Sequence, residues 1–526
     1  MSLFKSIATF GSFTLLSRVA GFVRDVVIAK YLGAGMLSDA FLVSFKLPNL
    51  FRSLFAEGAF NTSFVPMLSH KMVEEGKEKS TFFASRAISI LFFILAIFST
   101  IVMIFMPTAV KILAPGFIND PEKLNLTIEL SRITFPYLLL VSIVSFQSGI
   151  LNSLGKFAAP AATPIILNIV MTASVFVFMP FTSSPAYSLA IGVTTAGFLQ
   201  VFWLMYFIHK ENYSLRPCFD VLSILKDKEI KILFRRITPG ILGAGIYQVN
   251  IMVGTILVSM LQTGAISWLY YADRLQQVPL GVVGAAIGVA LLPVLSQQLK
   301  SKKIEEANST QNKAIEYGAI LSIPAATILI TLSFPIINVL FERGEFGALE
   351  TEMSGQALIA YVLGLPAYVM VKALAPNFFA RGDTRTPVKY SIVSLVSNLL
   401  LSIALIFPLK HVGVALATSL AAYISLAQYI YGLKKRNHWS FSKELVMQIF
   451  KIIFCSACMG LFLVTALYLS NHLIPEWLSY HFFKKLIILG IITILGVATF
   501  LIIAKMINVS SVSEVIEMIK TKRRKK

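Results

Sequence analysis

The chain has 526 residues, of which 56% are hydrophobic and only 14% are charged, and its mean hydropathy is +0.77. Soluble domains carry about 25% charged residues, so this composition excludes a soluble globular protein and indicates an integral membrane protein with many spans. The net charge of +20 is compatible with nucleic-acid or acidic-lipid binding. Cytoplasmic loops that obey the positive-inside rule explain it more simply, and we expect no nucleic-acid partner.

Fourteen apolar segments reach membrane-spanning length. Their cores are 7–31, 36–66, 82–106, 129–151, 159–180, 187–208, 237–260, 266–297, 314–340, 353–379, 387–407, 413–433, 446–470 and 484–506. Alternate connections, beginning after the second segment, hold 22 lysines and arginines, whereas the intervening connections hold 6. The positive-inside rule therefore places both termini in the cytoplasm, which requires an even number of spans.

An internal repeat relates the two halves of the chain. The sequence FVPMLS at 64–69 recurs as LLPVLS at 291–296, and the same offset along the chain carries Gly155 onto Gly382. A repeat of six spans keeps the orientation of the halves and relates them by an axis along the membrane normal. The sequence thus predicts an all-α polytopic membrane protein with two pseudo-symmetric six-helix lobes around a central cavity and two extra C-terminal helices.

The predicted division of the chain follows from this repeat. Five parts are expected: an N-lobe at 1–209, a cytoplasmic amphipathic linker at 210–236, a C-lobe at 237–433, the two extra helices at 434–508, and a basic cytoplasmic tail at 509–526.

Charged residues interrupt the first two apolar segments and the eighth. They are Arg18, Arg24, Asp25, Asp39, Lys46, Arg52, Glu57, Asp273 and Arg274, with Ser17 beside the first of them. A charge at the centre of a span costs roughly 2.5–3.5 kcal/mol on insertion scales, so such residues usually face a bundle interior or a water-filled cavity. These charges could pair among themselves and join the helices, or the surplus guanidinium groups could bind an anion such as a phosphate.

At these residues the sequence resembles the MurJ/MviN family of bacterial lipid II flippases, in the multidrug/oligosaccharidyl-lipid/polysaccharide exporter superfamily. The motifs that carry the resemblance are SRVAGFVRD, GAGMLSDAF, FKLPNLFRSLFAEGAFNTSFVP, APGF, ITFPYLLL, SWLYYADRL and RGDTRTPVK. The resemblance covers nearly the whole chain and is weakest after about residue 440.

This resemblance implies an inner-membrane protein that flips lipid II, the undecaprenyl-diphosphate-linked disaccharide pentapeptide, for peptidoglycan biosynthesis. It implies alternating access through a cationic cavity, with Arg18, Arg24, Arg52 and Arg274 at the diphosphate and the two C-terminal helices forming a groove for the lipid tail. The remaining polar residues of the set above would lie at the cavity or its gates. Some family members have an acid where Gln277 stands, so a charge-dependent role at this position is not transferred.

Cofactors and energy supply are less well specified by the sequence. No P-loop motif is present, so ATP is not expected to drive transport directly, and membrane potential or a coupling cation, sodium or a proton, remains as the source of direction. Some relatives have a sodium site, and Asn377 and Asp383 lie in the corresponding region. We expect no other cofactor and a functional monomer in contact with membrane lipids.

Three alternative functions are weighed against this interpretation. The nearest are a flippase for another polyprenyl-diphosphate-linked saccharide and a cation-coupled exporter of the same superfamily. The third is a membrane enzyme acting on a polyprenyl-linked substrate, which would need a catalytic acid or base on a sizeable loop. The short outward connections argue against an enzyme, and we expect a transporter.

Overall fold

The computed structural model describes residues 3–53 and 58–510, and within them it describes the side chains except at 3–10, 58–62, 239–244, 246, 247, 285, 286 and 289. Apart from one isolated bridge between Arg343 and Phe346, the described ranges consist of helices, turns and short connections. The predicted all-α class is confirmed for this part of the chain.

Twenty α-helices follow one another along the described parts of the chain. They are α1 Leu3–Leu32, α2 Met36–Arg52, α3 Gly58–Glu74, α4 Gly76–Ile104, α5 Met106–Leu113, α6 Pro121–Thr134, α7 Tyr137–Ser153, α8 Ala158–Phe178, α9 Pro185–Lys210, α10 Val221–Lys226, α11 Lys228–Ser259, α12 Ala265–Pro279, α13 Ala285–Lys300, α14 Ile304–Thr331, α15 Ser333–Phe341, α16 Ala348–Val362, α17 Leu365–Phe379, α18 Arg385–Lys435, α19 Lys443–Leu473 and α20 Phe482–Met506. Short 3₁₀ turns lie at Pro115–Asn119, Met179–Phe181 and Trp477–Ser479, and a π-helical turn at Leu280–Gly284 joins α12 to α13.

Nine helical segments among the described residues are long and apolar enough to cross a membrane, which makes the chain a multi-pass membrane protein. They coincide with the ten predicted segments between 82 and 208 and between 314 and 506, since Arg385–Lys435 covers both 387–407 and 413–433. The predicted segments at 7–31, 36–66, 237–260 and 266–297 are helical in their described parts but fall outside these nine. Three of these four segments carry the charged residues singled out above.

Two connections differ from the sequence-based expectation. The outward loop expected at 107–128 is mostly helical, because Asp120 caps α6 through the backbone N–H of Lys123 and Pro121 occupies the first turn. The loop expected at 408–412 is a kink within α18, where Lys410 has φ 49° and ψ −130°. Helix α6 thus begins within the first expected loop, and helix α18 continues through the second, so both connections are shorter than hydropathy indicates.

The chain forms two compact units. Unit 1 comprises residues 1–267 together with Arg343–Phe346, and unit 2 comprises Trp268–Glu342 and the chain from Gly347 onward. Helix α11 thus belongs to unit 1, although the repeat assigns it to the C-lobe. The division into two lobes is predicted from the internal repeat and not from contacts between helices, so it stays a prediction.

Each unit has its own apolar core. In unit 1, one cluster of buried side chains includes Phe64, Phe83 and Phe146, and it extends into the predicted linker through Tyr213 and Ile224. In unit 2, one cluster joins α14, α19 and α20 around Met459, Leu463 and Trp477.

Two tight turns of unit 1 each close against the end of a long helix. The Gly116 N–H donates to Ser259 Oγ at 3.2 Å at the end of α11, and the Glu345 N–H donates to the Lys30 carbonyl at 3.0 Å near the end of α1. A Cβ at Gly116 would lie 2.0 Å from the Ser259 carbonyl oxygen, and a Cβ at Gly344 would lie 2.3 Å from that of Lys30. Only glycine permits such close backbone approach. We call these two contacts the turn clasps.

The turn clasps follow the internal repeat. The spacing along the chain from Gly116 to Gly344 is almost the same as that from FVPMLS to LLPVLS. The spacing from Lys30 to Ser259 is almost the same as well. Gly155 and Gly382, which that offset pairs, both have a left-handed backbone with φ of 73° and 75°. Matching conformations at matching positions support a true duplication.

Candidate functional site

A buried ion pair on α1 forms the centre of the first cluster. Asp25 Oδ1 accepts hydrogen bonds from Arg24 Nε at 3.1 Å and Arg24 Nη2 at 2.7 Å, and the two residues are 6% and 3% exposed. The Arg24 Nη1 group also donates to Asn168 Oδ1 of α8 at 2.9 Å. A guanidinium this deep in the fold is held by a carboxylate and a neutral amide, an arrangement suited to a fixed cation rather than to a mobile surface charge.

The neighbouring predicted residues on α1 lie in a different environment. Ser17 is half-buried and its carbonyl accepts a hydrogen bond from Asn168 Nδ2 at 3.0 Å, whereas Arg18 is exposed. The structure therefore pairs Asp25 with the adjacent Arg24.

Asp39, at the start of α2, is the centre of the second cluster. Its carboxylate accepts hydrogen bonds from the Gly264 N–H at 2.8 Å, the Ser267 N–H at 3.0 Å and the Ser267 hydroxyl at 2.6 Å, all at the beginning of α12. Lys123 Nζ, from α6, forms an ion pair with it at 2.8 Å. Because free N–H groups and a partial positive charge gather at a helix N-terminus, Asp39 caps α12 from a distant part of the chain.

Two further predicted cations on α2 have polar partners nearby. Lys46 Nζ donates to Thr255 Oγ1 of α11 at 2.9 Å, and Arg52 Nε donates to Asn49 Oδ1 at 3.1 Å; both side chains are half-buried. Glu57 lies outside the described residues.

Arg274 and Asp273 lie on the part of α12 that belongs to unit 2. The Arg274 guanidinium donates to the Tyr270 hydroxyl at 3.0 Å and lies over the Tyr270 ring, 4.7 Å from its centre. Asp273 accepts a hydrogen bond from the Gln277 amide one turn later. The aromatic face and the phenol oxygen orient the Arg274 guanidinium without neutralising its charge.

The described residues contain no group of three or more His, Cys, Asp or Glu side chains that could hold a metal ion. The two residues named for a sodium site, Asn377 and Asp383, both contact protein groups. Asn377 Oδ1 accepts from Arg381, and its Nδ2 donates to Gln311 Oε1 at 3.3 Å. Asp383 accepts from the Thr386 N–H at 3.0 Å and from the Thr386 hydroxyl and Arg436 Nη1, both at 2.6 Å.

These contacts give Asp383 a predictable pH dependence. The hydrogen bonds from the Thr386 hydroxyl and N–H, together with that from Arg436, hold the pKa of the Asp383 carboxyl well below its usual range. A lowered pKa in the folded state stabilises the protein above the pKa of the unfolded state, about 3.9, and the stabilisation is lost as the pH falls. Asp383→Ala, which removes the acceptor for the Thr386 N–H and hydroxyl at the start of α18, should cost about 1 kcal/mol.

We expect thermal unfolding of the purified protein to show this difference unchanged between pH 8 and pH 5 and reduced below about pH 4. Arg436→Gln should reproduce part of the effect, since the Thr386 hydrogen bonds remain. A difference between wild type and Asp383→Ala that is as large at pH 3 as at pH 7 would contradict this account of Asp383.

Most of the chain matches a known family. The family model described as "Lipid II flippase MurJ" aligns with residues 28–489. The chain belongs to the MurJ family. This confirms the resemblance read from the motifs.

Curated MurJ relatives span almost the whole chain. A "Probable lipid II flippase MurJ" of Rhizobium tropici is 38% identical over 99% of this chain and 98% of its own length. A protein of the same description from Rickettsia prowazekii is 36% identical over 95% of this chain and 97% of its own.

Solved structures extend the comparison to the fold. One described as "Lipid II flippase MurJ, inward closed conformation" is 27% identical, covers 93% of this chain and 98% of its own, and has a TM-score of 0.77. An inward-facing multidrug resistance MATE family transporter of the MOP superfamily has a TM-score of 0.65 at 13% identity, covering 82% of this chain and 98% of its own. The second likeness concerns the fold alone.

Sequence reasoning missed two residues of these buried clusters. Lys123 lies in the connection expected to be an outward loop, yet it is 3% exposed and forms the ion pair with Asp39. Asn168 lies within an apolar span and is 7% exposed. An amide inside a span is itself a signal, because a polar group at membrane depth needs a partner.

Proposed function

We propose that this chain flips lipid II from the cytoplasmic to the outer leaflet of the bacterial inner membrane for peptidoglycan biosynthesis. Membership in the MurJ family supports the substrate, and one observation supports the chemistry. The guanidinium of Arg24 is only 6% exposed on a helix predicted to span the membrane, where a buried carboxylate and an amide fix its position. A fixed guanidinium fork matches the oxygens of a diphosphate.

In this proposal a cationic cavity binds the head group while the isoprenoid tail stays in lipid. The diphosphate would contact Arg18, Arg24, Arg52 and Arg274, and the polar or gating residues would be Ser17, Asp25, Asp39, Lys46, Glu57 and Asp273. Alternating access of two six-helix lobes would present the cavity to each side of the membrane in turn.

The proposed architecture has fourteen spans with both termini in the cytoplasm, and α19 and α20 form the groove for the lipid tail. The protein would act as a monomer and as a transporter, not an enzyme. Direction would come from membrane potential or a coupling cation, since moving one charge through 100 mV supplies about 2.3 kcal/mol.

Complementation tests this function directly. The native lipid II flippase is depleted from a bacterium, and wild-type chain, Arg24→Ala or Arg274→Ala is expressed while lipid II accessible from outside is labelled. We expect wild type to restore export and each variant to reduce it about 30-fold, because a lost hydrogen bond to a charged group is worth about 2 kcal/mol.

Two further variants make this result specific. Arg24→Ala also leaves the Asp25 carboxylate without the Arg24 guanidinium, so Arg24→Lys, which retains the charge and loses the fork, provides a variant more certain to fold. Arg132→Ala removes an exposed arginine from α6 and should leave export unchanged. Failure of well-inserted wild type to restore export would overturn lipid II as the substrate and favour another polyprenyl-diphosphate cargo or another exported compound.

A further inference from the structure

We propose that Asn168 is a positioning residue for the substrate site: its side-chain amide holds the Arg24 guanidinium in place and fixes the register of α1 against α8. This inference deepens the proposed function and rests on it. Asn168 contributes no charge and need not touch the substrate.

The contacts between Arg24 and Asp25 do not by themselves fix the orientation of the guanidinium group. Adjacent residues of a helix point about 100° apart, so a pair at i and i+1 does not lie on one face. Both Arg24 contacts to Asp25 end on the same oxygen, Oδ1, at 3.1 and 2.7 Å. A third contact on the opposite side of the guanidinium is needed to define its plane. Asn168 Oδ1 supplies this contact by accepting from Nη1 at 2.9 Å.

The Asn168 amide is itself oriented by α1. Its Nδ2 donates to the Ser17 carbonyl at 3.0 Å, so the acceptor oxygen must face Arg24. A reversed amide would direct an N–H group toward the N–H groups of Arg24, which excludes the opposite assignment. One side chain of α8 thus bridges two points of α1, the backbone at Ser17 and the side chain of Arg24.

The surface of α1 is shaped for this contact. Ser17, Gly21 and Arg24 occupy positions i, i+4 and i+7, which share one helix face. A Cβ at Gly21 would lie 3.3 Å from Asn168 Nδ2, closer than an ordinary van der Waals contact. The glycine therefore leaves room for the amide between its two hydrogen-bonding partners.

A purely structural role is the competing explanation. A buried asparagine between membrane helices contributes to packing wherever it occurs, and the chain offers a half-buried asparagine for comparison. Asn398 of α18 lies in unit 2 and accepts hydrogen bonds from Ser402 and Thr418, both at 3.4 Å. Replacement of Asn398 therefore controls for the loss of a membrane-embedded amide.

The experiment is a double-mutant cycle on the purified full-length chain, with the dissociation constant for lipid II as the readout. We expect Asn168→Ala to weaken binding about 10-fold in the wild-type background and less than about 2-fold in the Arg24→Ala background, since Asn168 acts through Arg24. Asn168→Leu, which fills the volume without polar atoms, should give the same loss at a nearly native unfolding temperature. Asn398→Ala should leave the dissociation constant unchanged.

Each other outcome has a defined meaning. An equal loss in both backgrounds would show that Asn168 supports packing only, and native affinity in Asn168→Ala and Asn168→Leu would overturn the inference while leaving the proposed function intact. Wild type that does not bind lipid II would overturn the proposed function and this inference with it.

Discussion

Gly344→Ala is expected to lower the free energy of unfolding by about 3–4 kcal/mol. Gly344 has φ 61°, where a side chain costs roughly 1–2 kcal/mol, and the new Cβ would lie 2.3 Å from the Lys30 carbonyl oxygen. Because both atoms are fixed by backbone, the turn must move away from α1, and overpacking of this kind costs typically 1–3 kcal/mol. Chemical unfolding of the purified protein in detergent measures the loss.

Two other glycines separate the contributions of strain and collision. Gly382 has φ 75° with no neighbouring atom within 4 Å of a built Cβ, so Gly382→Ala should cost only the strain, about 1 kcal/mol. At Gly116, a Cβ would lie 2.0 Å from the Ser259 carbonyl oxygen, so Gly116→Ala tests the collision at the other turn clasp. If Gly344→Ala were no more destabilising than Gly382→Ala, close backbone approach would not explain Gly344.

The second large effect is expected at the buried ion pair between Asp39 and Lys123. Asp39→Ala leaves Lys123 without its carboxylate, with Thr263 Oγ1 at 3.4 Å and the Phe117 ring at 4.2 Å still close to its ammonium group. Removing one partner of a buried ion pair costs about 3–5 kcal/mol, and the cap of α12 is lost as well. The unfolding free energy of the purified variant checks this value.

Replacing the lysine of this pair should destabilise the protein less than replacing the aspartate. Lys123→Met leaves the Asp39 carboxylate with three donors from α12, so we expect a loss of about 2 kcal/mol, the value of one hydrogen bond between charged groups. Asp39→Ala combined with Lys123→Met should be more stable than Asp39→Ala alone, because no unpaired ammonium remains. Equal losses of unfolding free energy in the two single variants would mean that the cap of α12 contributes little to the effect of Asp39→Ala.

The spans and the charged clusters could be predicted from the sequence because both are local signals. A run of about twenty apolar residues identifies a span, and a charge within such a run is visible at once. The segments that carry these charges fall outside the nine long apolar helices among the described residues, so the weakest span signals and the charged clusters coincide.

The contacts of the charges could not be predicted in the same way. Lys123 is 84 residues from Asp39, and no periodicity relates them. Arg24 and Asp25 are adjacent, yet their geometry depends on Asn168, 144 residues away from Arg24. The kink at Lys410 also escaped prediction, since Pro408 there is equally compatible with a loop. Tertiary packing decides these features.

The turn clasps have an implication for the symmetry of the fold. In the predicted repeat, Gly116 belongs to the first half and lies against the helix end at Ser259 of the second half, whereas Gly344 belongs to the second half and lies against the helix end at Lys30 of the first. A contact that occurs twice with the roles of the two halves exchanged has the symmetry of an isologous C2 interface. The predicted duplication would therefore make the two turn clasps equivalent contacts, related by its two-fold axis.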